Sequence, residues 1–287
     1  STDDFLQKGG SPLRADVQKI LSRVGSLPPL PDIVLKLQER LRDPEVSLSE
    51  LSTLVMKDPA FTADILRIAN SPFYGLSRPT SSLTQCFLIL GLRNIQTLAL
   101  AFGIKRAFPS RSFKERLMWR HSVSTALFTH LLTREIKGGP REELFIYGLL
   151  HDIGKTVLLQ SLPELYEPLL DESYSTGKEI CPLEKELLEF THTEIGYFLA
   201  QEWNLDEGAQ TAIFFHHNPE LSPKFSEESA LVRLGDLLSH HYALGFPQEN
   251  PFPEAEPSLG ILNVTRERVL SLGDRIVESV RQELEVF

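Results

Sequence analysis

His121, His151, His192, His216 and His217 fall between residues 121 and 217, beside acids able to share metal or proton chemistry with them. His151 is followed at once by Asp152, and Gly148 and Gly154 flank the pair inside an apolar run from Leu144 to Leu159. His216 and His217 close another apolar stretch, and Asp236 lies within a third. Neutral imidazole and carboxylate are the usual ligands of iron, manganese, zinc and nickel. A carboxylate such as Asp152 can bridge two ions, and two ions held in this way polarise a phosphate and generate a hydroxide nucleophile. Lys155, one helical turn after His151, would bring an ammonium to a phosphate at the same opening. A single histidine in a helical protein more often packs or hydrogen-bonds than ligates, so the expectation rests on the set. His130, His240 and His241 stay outside it, with His240, one turn from Asp236, as a supporting residue.

These side chains can meet only if separate elements converge, and the apolar spacing says that the elements are helices. Four helices contributing one or two ligands each can meet at a point inside a bundle. Glycine costs about 1 kcal/mol against alanine in a helix interior. Gly148 and Gly154 therefore imply close approach of another backbone or a ligand. Helices are expected over approximately 113–136, 142–160, 164–176, 182–202, 206–217 and 227–243, with a last amphipathic one through Val269, Ile276 and Leu284. Earlier in the chain, Val17 to Val24 has helical spacing up to Gly25. Leu27-Pro28-Pro29-Leu30-Pro31 is a rigid elbow, because each proline removes a donor and pushes its predecessor to extended geometry. Asp58-Pro59 is a helix start, an acidic cap followed by proline in the first turn. No alternating run of five or more residues occurs, so the fold class is all-α. The segments are 1–16, polar and frayed; 17–110, a front helical lobe; 111–245, the lobe with the candidate site; and 246–287, a proline-rich linker with a final helix.

Net charge and composition narrow the function classes. The chain carries a formal charge of -10 with its basic residues scattered, whereas a nucleic-acid binder gathers Lys and Arg on one face. Two short helices around Gly91 also fit a helix-turn-helix reader, but the second offers only Arg93, Lys105 and Arg106 near its ends. The apolar runs 86–92 and 98–104 are too short to span a bilayer. Two lone cysteines, Cys86 and Cys181, make no disulfide framework, which fits a reducing cytoplasm. An opening Ser1 in place of Met leads us to expect a trimmed or processed start.

Five motifs in order, LPPLP at 27–31, DPAFTADILRIANSPFYG at 58–75, LGLRNI at 90–95, GLLHDIGK at 148–155, and 192–217 with Gly196, Trp203 and the double histidine, resemble the HDOD domain. That family is similar in fold to the HD-domain metal phosphohydrolases with an added helical lobe in front, so the resemblance implies an HD-like bundle. It places His121, His151, Asp152 and Asp236 around one metal. By analogy with the HD-GYP branch, Asp152, His192, His216 and His217 would surround a second. Two departures argue against cyclic-dinucleotide hydrolysis: His217 is followed by Asn218-Pro219-Glu220 and not by Gly-Tyr-Pro, and Leu117 stands where three-metal enzymes carry a glutamate. The resemblance implies a cytoplasmic bacterial signalling or regulatory module holding iron, manganese, zinc or nickel as one ion or two. Its expected partners are other signalling proteins, a small anion or phosphate ligand, and a second copy of the chain, with no nucleic acid and no membrane. The alternative is a metal-dependent phosphohydrolase of a nucleotide or other phosphate ester, with Lys155 as the phosphate contact.

Overall fold

In the computed structural model the described residues are 20, 22–43, 45–71, 74, 76, 78–139, 141–246, 252–253 and 256–287, with the backbone alone of Arg93. Among them there is no strand, as the missing alternation predicts. The expected frayed segment 1–16 and most of the first expected helix fall outside these residues; 20 and 22–24 are helical, and Gly25 takes φ +79°.

Past the proline elbow, α1 (Asp32–Leu41), α2 (Leu48–Met56), α3 (Pro59–Ala69), α4 (Leu83–Leu90) and α5 (Leu92–Ala107) form the front group. Local chemistry sets their ends. Ser47, Asp58 and Ser82 each accept a backbone N–H at the start of a helix, and Pro59 follows its cap. Val34 and Leu37 of α1, Phe61 and Ile65 of α3, and Ile95 and Phe102 of α5 share the core. Two of the three cations considered for DNA reading are occupied elsewhere: Arg106 bonds Asp58, and Lys105 contacts the Phe287 carbonyl; the Arg93 side chain lies outside the described residues. Among the described residues no single helix is long and apolar enough to cross a membrane.

The second group is α6 (Phe113–Lys137), α7 (Glu143–Leu150), α8 (Ile153–Ser161), α9 (Pro163–Thr176), α10 (Ile180–Leu188), α11 (His192–Glu202), α12 (Glu207–Phe215), a 3-10 turn (Pro219–Leu221) and α13 (Ser226–His241). Then α14 (Pro257–Leu262) and α15 (Arg266–Leu284) close the chain, with α15 lying along α6. The long α6 is the axis, packed by α7 and α13 on one side and α15 on another. Trp203 ties the two groups: its Nε1 donates to the Pro28 carbonyl at 3.1 Å and its ring meets Phe108.

Two expected helices are divided, and one helix forms where a linker was expected. The run 142–160 breaks at His151-Asp152, where Asp152 leaves helical geometry (φ -105°, ψ 17°) and its side chain caps nothing. The His-Asp pair therefore sits at a junction, and not inside one helix. The run 182–202 breaks because Glu189 adopts φ 71° and Thr191 starts a new helix with a capping box to Glu194. The additional helix lies near the end of the chain: α14 begins in the proline-rich stretch expected to be linker, and Asn263 at φ 52° separates it from α15.

Candidate metal centre

The seven ligand candidates arrive from five places in the fold. The middle of α6 carries His121, the α7–α8 junction carries His151 and Asp152, and α11 begins with His192. His216 and His217 follow the end of α12, and α13 carries Asp236. Two glycines let the helices close on this point. A β-carbon at Gly148 would lie 2.8 Å from Ala126 Cα of α6, and one at Gly154 would run into the backbone of His192. These are the close approaches implied by the flanking glycines.

All seven side chains come together. His121, His151, Asp152, His192 and His216 are fully buried, Asp236 nearly so, and His217 half-buried. Asp152 sits between two sets of rings. Its Oδ1 faces His192 Nε2 at 3.3 Å and His216 Nε2 at 3.5 Å, while Oδ2 faces His151 Nε2 at 3.4 Å and His121 Nε2 at 3.6 Å. Asp236 Oδ1 faces His121 at 3.2 Å and His151 at 3.7 Å, and His217 Nε2 lies 3.2 Å from His192 Nε2. Ligand atoms of Asp152, His192, His216 and His217 lie within 4.8 Å of one another, as do those of His121, His151 and Asp152. His240 joins His121 and Asp236 in a further such group, closer to the centre than a mere support. Among the described residues no member of these groups precedes His121.

The donors are built and left open. His121 Nε2, His151 Nε2, His216 Nε2, Asp152 Oδ1 and Asp236 Oδ1 are buried without a hydrogen-bond partner. An unsatisfied buried polar atom costs about 1–3 kcal/mol, and five of them pointing at one another make sense around cations. Behind the rings, Nδ1 is held: by Ser239 Oγ for His121, the Gly148 carbonyl for His151, the Ile213 carbonyl for His216 and the Glu184 carboxylate for His192. Holding Nδ1 in this way turns Nε2 inward as the ligand atom.

Charge follows the same plan. Burial opposes ionisation of Asp152 and Asp236, but the surrounding histidines, joined by Lys155 at Asp152, hold both carboxyls well below their usual range. Burial also disfavours charge on His151, yet Asp152 and Asp236 outweigh it and push the imidazole up to about 9. His216 falls to about 4 through burial and the neighbouring histidines, and His217 is lowered as well. Lys155 is nearly buried and donates to Asp152 Oδ2 at 2.8 Å, so its ammonium is bonded to the bridging carboxylate. Arg233 donates likewise to Asp236 Oδ2 at 3.0 Å.

Sequence reasoning missed Arg233, Ser239 and Glu184. Glu184 had a readable signal: it lies four residues from Ile180 and from Leu188, an acid on the apolar stripe of its helix.

The HDOD domain profile matches residues 27–219. An uncharacterized protein of Treponema pallidum is 29% identical over 206 residues, which cover 71% of this chain and 40% of that protein. The chain thus spans well under half of that relative's length. An HDOD domain protein of unknown function from Geobacter sulfurreducens superposes with a TM-score of 0.78 at 25% identity, over 94% of this chain and 96% of the other. Two further crystal structures share the fold. A protein from Shewanella amazonensis, provisionally described as a phosphohydrolase, gives a TM-score of 0.73 at 21% identity over 93% and 96% of the two chains. A Marinobacter aquaeolei protein, provisionally described as a signal transduction protein, gives 0.75 at 20% over 95% and 66%.

Proposed function

The chain belongs to the HDOD domain family, and from that membership we propose that it is a bacterial signal-transduction module. It acts through contacts with other proteins in the cytoplasm, around a two-ion transition-metal centre. His121, His151, Asp152 and Asp236 would hold one ion; Asp152, His192, His216 and His217 would hold the other. Iron, manganese, zinc and nickel all suit this mixture of imidazole and carboxylate. The observation that carries the reading is the set of five buried, unpartnered donor atoms on four elements.

The residues after the double histidine support a module over an enzyme: Asn218-Pro219-Glu220 stand where the cyclic-dinucleotide hydrolases of the HD-GYP branch carry Gly-Tyr-Pro. Two residues prepare the centre electrostatically. Lys155 holds Asp152 Oδ2, and Arg233 holds Asp236 Oδ2, so each carboxylate keeps its charge while Asp152 faces rings with both oxygens and Asp236 with Oδ1. Metal must displace the proton that Asp152 favours on His151, so loading should release protons.

A metal-dependent phosphohydrolase is the second reading, favoured by the completeness of the donor set and by the description of the Shewanella amazonensis neighbour. When bound, such ions polarise a phosphoryl oxygen and acidify bound water. Lys155 would then serve a phosphate only by leaving Asp152. Elemental analysis of protein purified without chelator or histidine tag, with a phosphodiesterase and nucleotidase screen of the same sample, separates the outcomes. Bound metal without turnover supports the module, metal with turnover supports the hydrolase, and less than about a tenth of an equivalent of metal sinks both.

A further inference from the structure

Four histidines of the seven-residue ligand set have a hydrogen-bonded Nδ1, and they are not backed alike. His121 rests on a hydroxyl, and His151 and His216 rest on backbone carbonyls. His192 rests on a full carboxylate. Glu184 is completely buried, and its oxygens lie 2.8 and 3.0 Å from His192 Nδ1. It also accepts the backbone N–H of His192 at 2.9 Å and the Tyr166 hydroxyl at 2.5 Å. Cys181 lies beside this group. Three donors already occupy the Glu184 oxygens, however, so the group is a support and not an ion site.

A carboxylate behind an imidazole does more than a carbonyl. Both fix the tautomer and the ring plane, but the carboxylate also adds a negative charge one ring away from the ion, which makes Nε2 a stronger donor. This charge falls on one half of the centre only. The other half has no Nδ1 carboxylate behind His121 or His151. Glu184 also grips the backbone N–H of the same residue, so it fixes the start of α11 as well as the ring.

We propose that Glu184 is the positioning residue for the ion held by Asp152, His192, His216 and His217, and thereby decides whether the centre takes one ion or two. This rests on the metal reading above. The residue touches no ion; it acts through His192. Losing such a partner typically weakens metal binding by about 10- to 100-fold. The loss should fall on one ion, because His121, His151 and Asp236 make no contact with Glu184.

Mn2+ titrated into the metal-stripped full chain tests this, with stoichiometry and the electron paramagnetic resonance spectrum as readouts. The wild type should take two ions with a spin-coupled spectrum, since both share Asp152. Glu184→Gln should take one tightly, with an isolated-ion spectrum, and bind the other about 10- to 100-fold more weakly. Tyr166→Phe keeps the carboxylate and should retain the coupled spectrum. Should Glu184→Gln fail to fold, Glu184→Asp, which withdraws the charge by one methylene, is read in the same way. A coupled two-ion spectrum with unchanged affinity in the Glu184 variant overturns the proposal. So does an equal loss in Tyr166→Phe, which would mean that packing and not charge is responsible, and so does a wild type that takes one ion only. A wild type that takes no Mn2+ overturns the metal reading beneath it.

Discussion

A β-carbon placed on Gly154 would stand 2.7 Å from the carbonyl carbon of His192 and 3.0 Å from its Cα. The obstacle is backbone on both sides, so neither α8 nor α11 can yield by a side-chain rotation. Gly154→Ala should therefore cost at least about 3 kcal/mol, the upper end for overpacking. Urea denaturation monitored by helical ellipticity measures it. A variant within about 0.5 kcal/mol of wild type, the usual scale for a surface change, would show that the two helices are not so closely joined.

Asp152→Ala should remove most of the metal, because Asp152 faces rings of both ion groups through its two oxygens. His217→Ala, half-buried at the edge of one group, should lose less. Metal content of the two variants purified side by side decides this. An Asp152→Ala sample with wild-type metal would show that the carboxylate is not shared.

Glu283 gives a pH signature away from the centre. Burial pushes its carboxyl up to about 7 from an ordinary 4.5, with the Ser71 hydroxyl at 3.0 Å opposing the shift. The folded chain therefore holds this proton more tightly than the unfolded one. The stabilisation is complete below about 4.5 and is lost as pH rises to about 7. It amounts to roughly 3 kcal/mol at most. Glu283→Gln should flatten that part of the stability–pH curve, with its gain over wild type largest above about 7. Parallel curves for the two proteins would contradict it.

Cyclic dinucleotides should not be turned over efficiently. Beyond the double histidine the chain makes a 3-10 turn, Pro219–Leu221, with buried Pro219 and exposed Glu220, and the donors it would have to serve are buried. A bulky two-base substrate needs a groove there, and lost positioning forfeits many orders of magnitude in rate. Turnover with manganese-loaded protein is expected below about 1 per second, the lower end of ordinary enzyme rates. Faster hydrolysis, abolished by His151→Ala, would promote the hydrolase reading.

Much of this was legible in the residues, and unevenly so. Composition and spacing gave helices, and the seven ligand candidates do meet. Their meeting follows from polar types placed inside, at the ends of and at a junction between apolar helices. The breaks were harder. Thr191-His192-Thr193-Glu194 is a capping-box sequence, yet the apolar spacing continues across it, so periodicity alone runs two helices together. At His151-Asp152 nothing local stops the helix; the break serves contacts made with distant elements, which no window of sequence contains. Glu184 was overlooked although its partners His192 and Tyr166 are only 8 and 18 residues away, because they lie on other helices and its sole local sign is an acid on an apolar stripe.

The helix α11 starts at a ligand candidate and is capped by Trp203, whose indole holds the proline elbow 175 residues away. Its 11 residues make a stiff rod about 16 Å long. Swinging that rod by about 5° around its Trp203 end would carry the His192 end through about 1.4 Å, and the reverse is equally true. Mechanically it is a lever between two anchorages: a tilt about either end moves the other, and a push along its axis is carried through the whole rod.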